Sequence, residues 1–190
     1  MEAFEQFVAL SMESEGLVVS GALKFNVTRK TRKAAYDEYQ THGFEVDLVG
    51  ACRDRLVLAT VKSFFGSRGV VASHVKGDGT NYAKWYALLN QTDVREAVVN
   101  RAAERFGYDV DQIEMRLYAG RFSTAASEAE IREWAKSQII GSGPLQVYDA
   151  KHVVAKVREA AKSKQYRDSA VLATLKVLDA TGALVPTSQT

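Results

Sequence analysis

Between residues 3 and 14 the apolar positions Phe4, Phe7, Val8, Leu10 and Met12 return at close to helical spacing, and Gly16 follows where a helix would stop. The pattern then changes period. LVVSGALKFNV reads as an extended segment, EVDLVG as a second strand, and RLVLATVKS as a third whose apolar residues fall on both faces, as in a strand covered from both sides. VTRKTRKAAYDEYQTHG, between the first two, fits neither period and stands open between a hairpin extension and a short helix.

The next segments, 81 to 90 and 92 to 106, read as helices, the second ended by Gly107. QIEMRLYAG alternates Ile113, Met115 and Leu117 with polar neighbours, the period-two signature of a half-buried fourth strand. Ser127 with Glu130 forms a capping-box signature for the helix AEIREWAKSQI. PLQVYD predicts a short fifth strand, and helices over about 150 to 164 and 168 to 180 close the chain, with Gly182 just beyond. This order of elements predicts an α/β protein: a mixed β-sheet flanked by helices, with additional C-terminal helices. One domain over residues 1 to 185 with a frayed tail at 186 to 190 suits a chain of 190 residues without a Gly/Ser-rich linker.

Composition narrows the function classes. Hydrophobic residues at 46% and charged residues at 25% suit a chain that buries a core. Residues 1 to 95 carry 12 basic and 11 acidic side chains and the remainder 13 and 12, so overall charge selects no partner and only local clusters can. The single cysteine, Cys52, excludes an internal disulfide and a Cys-based zinc site, and reads as a small apolar residue of a cytoplasmic protein. No apolar run approaches the ~18 residues of a membrane span, and the acidic N-terminal segment lacks the basic start of a signal peptide. GSRG and GDG lack the lysine and the helix of a phosphate loop, so no nucleotide cofactor is expected.

The chemistry concentrates in residues 45 to 63, EVDLVGACRDRLVLATVKS. Glu45 and Asp47 are two apart on a strand, which places both carboxylates on one face, and Thr60 and Lys62 repeat that spacing on the next strand. A carboxylate pair meeting a lysine across a sheet suits phosphodiester hydrolysis. That reaction uses a hard cation on carboxylate oxygens and a lysine to stabilise charge or orient the nucleophile.

On these residues the sequence resembles the PD-(D/E)XK nuclease superfamily, and within it the small Holliday junction resolvase-like group. The resemblance spans about residues 4 to 68: a glutamate on the first helix (Glu5 in FEQFVALSMESEG), Glu45 and Asp47 in EVDLVG, and Thr60-Val61-Lys62 where the family has acid-X-Lys. It implies a restriction-endonuclease-like fold and a metal-dependent DNA endonuclease, with Asp47 as principal ligand of Mg²⁺ or Mn²⁺, Lys62 as catalytic lysine and Glu5 as auxiliary acid. The departure is Thr60, a neutral hydroxyl that predicts weakened metal binding unless Glu45 supplies the missing acid. The alternative reading is a catalytically degenerate nuclease fold serving as a DNA-binding or protein-interaction module. Homodimerisation is implied by resemblance alone.

Each residue also has a plainer reading. Glu45 and Asp47 suit strand carboxylates paired with Lys62; Glu5 suits a first-turn acid favoured by the helix dipole; Thr60 suits a buried β-branched residue. Lys24, Arg29, Lys30, Arg32 and Lys33 form a basic run without an acid, which suits DNA phosphate contact or a solvated loop. Arg68, in the glycine-flanked loop FGSRG, would position a substrate strand or simply sit in a turn. His42, near the acid pair, would touch substrate if it acts at all, and Trp85 and Trp134 read as core anchors.

Overall fold

The computed structural model describes residues 2–30, 39–78, 81–162 and 169–183. The first helix, α1 (Ala3–Glu13), leads into β1 (Val18–Lys30), β2 (Tyr39–Cys52) and β3 (Arg55–Lys62), an antiparallel meander. Short helices α2 (Ala72–Lys76) and α3 (Ala87–Asn90), separated by a 3-10 turn over Asn81–Tyr86, precede the long α4 (Thr92–Phe106). β4 (Ile113–Ala119) then pairs parallel to β3. After α5 (Ala125–Lys136) comes a two-stranded hairpin, β5 (Ile139–Ile140) and β6 (Gly143–Pro144). β7 (Gln146–Asp149) joins parallel to β4, and α6 (Ala150–Ala161) and α7 (Ala170–Ala180) end the described chain. The result is an α/β fold with a five-stranded mixed sheet in the order β1-β2-β3-β4-β7.

Two apolar layers sandwich this sheet. Leu56 and Leu58 of β3 face one layer with Val94, Val98 and Ile131, while Val57, Ala59 and Val61 face the other with Val8, Met12, Val153 and Leu172. β3 is therefore buried on both faces, which is why its apolar run is continuous. Contact on the α1 side is close: a Cβ on Gly50 would meet Met12 Cε at 2.7 Å.

Of the segment left open between a hairpin extension and a short helix, residues 27–30 and 39–43 extend the hairpin, with β1 and β2 paired from Val18 opposite Ala51 to Lys30 opposite Tyr39, and residues 31–38 lie outside the described residues. Other expectations need correction. β4 is covered on both sides rather than half-buried: Arg116 and Tyr118 are as buried as Met115 and Leu117. Their polar atoms are satisfied inside the fold, a possibility that alternation of polarity does not reveal. The capping box at Ser127 and Glu130 does not form. Thr124 caps α5 by accepting the Ser127 N–H, whereas the Ser127 hydroxyl accepts the Ala72 N–H at the start of α2. A helical pattern over 81 to 90 resolves into a 3-10 turn followed by a single α-helical turn.

Candidate active site

β3 hydrogen-bonds to β2 only as far as Leu48 opposite Ala59, whereas β1 and β2 continue together as an arm beyond it. Asp47 stands where the two ladders part. Its Oδ2 accepts the Val61 N–H (2.6 Å), which lies beyond the last β2–β3 pair and would otherwise lack a strand partner. The same oxygen accepts the Thr60 hydroxyl (3.0 Å) and lies 3.7 Å from Lys62 Nζ. All three of these contacts fall on Oδ2. Both charged side chains keep 19% of their surface exposed, so the pair is shielded yet reachable.

The expectation that Glu45 and Asp47 share a face is overturned by a break in the strand between them. Val46 packs into the layer with Phe25 and Val27, whereas Leu48, two residues on, packs into the opposite layer with α1. Residues two apart on a regular strand share a face. Here the alternation slips at Asp47, where the register brings Ala22, with φ 49°, alongside. Glu45 consequently turns to Lys24 on β1 (3.8 Å) and does not line the cleft that holds Asp47.

That cleft, about 380 Å³, is lined by Glu2, Glu5, Asp47, Val61, Lys62, Ser63, Phe64 and Trp85. The N-terminus of α1 delivers the two glutamates. Glu5 Oε2 accepts the Glu2 N–H (3.0 Å) in a capping box, and Glu2 Oε2 accepts the Ser63 hydroxyl (2.9 Å), tying the helix to the end of β3. Glu5 thus fills its ordinary first-turn role and lines the cleft at once. The Lys62 carbonyl accepts the Gly120 N–H (2.8 Å), and a Cβ on Gly120 would collide with the Ser63 carbonyl, so only glycine lets the two strand ends approach this closely. Phe64, next in the chain, has φ 43°; with Ala22 it completes the set of positive-φ non-glycine residues among those described. Such backbone conformations cost about 1–3 kcal/mol each and gather at functional sites. Both border the Asp47–Lys62 pair.

The remaining expected residues are spread out. Arg29 pairs with Asp93 of α4 (2.9 Å) and Lys30 ends β1, both on the arm, while Arg32 and Lys33 lie outside the described residues. Arg68 is exposed on the loop after β3, away from the cleft lining. His42 is on the arm opposite Val27, five residues and about 16 Å of extended strand from Asp47. Cys52 is half-buried and its thiol donates to Asp54. Trp134 packs against the core as expected, but Trp85 is 52% exposed at the cleft. Glu2, Ser63 and Trp85 escaped the sequence reading because no spacing links them. Arg101 and Arg105 of α4 escaped it too; they border a groove of about 520 Å³ with Lys24, Thr28 and Thr41 of the arm.

Among the described residues, no three His, Cys, Asp or Glu side chains gather closely enough to form a metal-binding cluster. No described helix is long and apolar enough to cross a membrane. Comparison with protein-family models, with curated proteins and with solved structures returned no match.

Proposed function

We propose that the protein is a metal-dependent DNA endonuclease of the restriction-endonuclease-like type, hydrolysing phosphodiester bonds at the Asp47–Lys62 cleft. The observation that carries this reading is the meeting of Asp47, Lys62, Glu2 and Glu5 at the point where β2 leaves β3, bordered by two positive-φ residues. The order of a first helix, three antiparallel strands and a parallel fourth agrees with the family resemblance of residues 4 to 68.

Magnesium sites use one or two carboxylates and complete their shell with waters and substrate phosphate, so a cleft without a three-residue cluster still suits them. Asp47, through Oδ1, and Glu2 or Glu5 would hold the ion. Glu45, paired with Lys24, does not fit that set. When bound, Mg²⁺ or Mn²⁺ supplies charge neutralisation at the phosphate and a more acidic water. Val61 N–H and the Thr60 hydroxyl fix the Asp47 carboxylate in place. Lys62 places an ammonium beside it, where it stabilises the phosphate charge that develops on attack. The arm and α4, with Lys24, Arg29, Lys30, Arg101 and Arg105, offer phosphate contacts that set orientation without reading sequence.

The test is cleavage of supercoiled, linear and branched DNA with magnesium or manganese. Wild type should nick or cut. Lys62→Met should lower the rate roughly 10²- to 10³-fold, the usual loss when one transition-state charge stabiliser is removed, and Asp47→Asn at least as much. Absence of cleavage by folded wild type on every DNA form refutes the enzyme reading.

One observation favours a second reading. Thr60 occupies the place of the family acid and spends its hydroxyl on Asp47, an arrangement complete without a cation. A nuclease fold retained as a DNA-binding module would show this, and would bind DNA equally well with a chelator present.

A further inference from the structure

Beside the Asp47–Lys62 cleft lies a second one of about 420 Å³, lined by Ala3, Phe4, Phe7, Phe65, Ala150 and Val154 together with Glu2 and Ser63. Glu2 and Ser63 line both, so the two clefts adjoin as one trough, crossed by the hydrogen bond from the Ser63 hydroxyl to Glu2. Trp85, 52% exposed, lines only the first cleft, and Phe65, 55% exposed, lines only the second, its ring meeting Phe4 edge to face at 5.2 Å. Carboxylates, a lysine and a serine hydroxyl share the first cleft with Trp85. The second cleft falls within the ~300–1,000 Å³ range of small-ligand pockets, and its walls are almost wholly apolar.

We infer that the trough takes single-stranded or locally unpaired DNA, with bases stacking on Trp85 and Phe65 on either side of the phosphate held at Lys62. The inference rests on the nuclease reading and specifies its substrate class. A nucleic acid strand alternates an anionic group with a flat apolar ring, and the adjoining clefts offer two exposed aromatics beside Lys62 and carboxylates suited to a cation. Intact duplex keeps its bases stacked inside and presents no ring face to either aromatic. Stacking on aromatic side chains tolerates any base, which suits a site with few directional donors beyond Lys62 and Ser63.

Fluorescence titration of the full chain tests this, with calcium in place of magnesium to bind DNA without rapid cleavage. Trp134→Phe leaves Trp85 as the reporting tryptophan, and a short oligothymidylate is the probe. Binding should quench Trp85 emission. With anisotropy of a fluorescein-labelled oligothymidylate as the readout, which needs no tryptophan, Trp85→Leu and Phe65→Ser, each verified as folded by circular dichroism, should weaken binding roughly 5- to 150-fold, the equivalent of one lost stacking contact. Trp85→Phe should restore most of it, and blunt duplex affinity should change less than twofold. In cleavage assays, loops and flaps should be cut in preference to intact duplex.

Single-strand affinity indifferent to both aromatics overturns the inference, as does a dimer that Phe65→Ser dissociates, which would assign the ring to an interface between copies. Aromatic-dependent binding without any cleavage upholds the unpaired-strand site and removes the nuclease reading. Cleavage of duplex at rates unaffected by either substitution does the reverse.

Discussion

Two charged clusters lie at opposite ends of α1, and they are built in opposite ways. Beyond its C-terminal end, Arg116 of β4 is 2% exposed and its guanidinium is fully used. Nε and Nη2 donate to Glu114, Nη1 and Nη2 donate to Glu15, and Nη1 also donates to the Tyr118 hydroxyl. Arg55 reinforces both carboxylates at 3.6 Å, and the guanidinium carbon lies 5.4 Å from the Tyr148 ring centre. Burial opposes the Arg116 charge, but hydrogen bonds from it to Glu114 and Glu15 outweigh that and hold its pKa above the ordinary value. Burial likewise raises the pKa of Tyr118, with Arg116 pulling the other way. At the N-terminal end, Asp47 and Lys62 meet through one carboxylate oxygen, beside an open cleft. Arg116 has no donor left for a ligand and serves the fold, although it and its partners Glu15, Glu114 and Arg55 border a cleft of about 610 Å³. A pair that meets through one carboxylate oxygen, with each side chain 19% exposed at a cleft, keeps capacity for chemistry.

The sharpest way to break this contrast is to delete one cation from each cluster and compare stability. Arg116→Ala leaves two carboxylates with only Arg55 at 3.6 Å and a tyrosine hydroxyl without its donor, and should cost about 3 kcal/mol in denaturant unfolding. Lys62→Met should cost about 1 kcal/mol or less, because Val61 N–H and Thr60 still satisfy Asp47. Equal losses would mean that the cleft pair is as structural as the buried network.

Thr60→Glu sharpens the contrast from the other side. Thr60 is 7% exposed and donates to Asp47, so a glutamate there places two carboxylates together and loses the hydrogen bond. Without a divalent cation the variant should be less stable by roughly 1–3 kcal/mol, a drop of several degrees in Tm. Manganese at a hundred times its Kd should return about 2.7 kcal/mol to the variant, with a smaller shift in wild type. Equal shifts in both proteins would place the cation elsewhere.

The smallest effect belongs to the arm. Arg29→Ala with Lys30→Ala should reduce the slope of log affinity for DNA against log salt by about 1.8 if both contact phosphates. A reduction of about 0.9 would indicate that Arg29 stays with Asp93 in the complex, and an unchanged slope would assign both to ordinary surface.

Legibility in the sequence followed locality. The α1 pattern, the apolar run of β3 and the Thr92–Phe106 helix ended by Gly107 are each set within one segment, and the structure has them close to where periodicity put them. The proximity of Asp47 and Lys62 could be anticipated because adjacent antiparallel strands bring such residues together. Glu45 was misplaced because strand spacing assumes an unbroken pleat, and the break at Asp47 arises from the parting of two ladders, invisible in either strand alone. Arg116 was misread for a related reason: an arginine alternating with apolar residues resembles a solvent-facing position until its partners from the turn after α1 and from β4 are known.

By itself, then, the chain determined its periodicities, its helix stops, and the acid, lysine and basic run that suggest phosphate chemistry. These depend on residues within a few positions of one another, where backbone geometry relates sequence spacing to direction. Tertiary structure decided which carboxylates share a cleft, which arginine has its donors fully used, and that Trp85 and Phe65 line adjoining clefts. Those outcomes depend on where β2 leaves β3 and where the N-terminus of α1 docks, contacts between residues up to about a hundred positions apart, for which local spacing carries no signal.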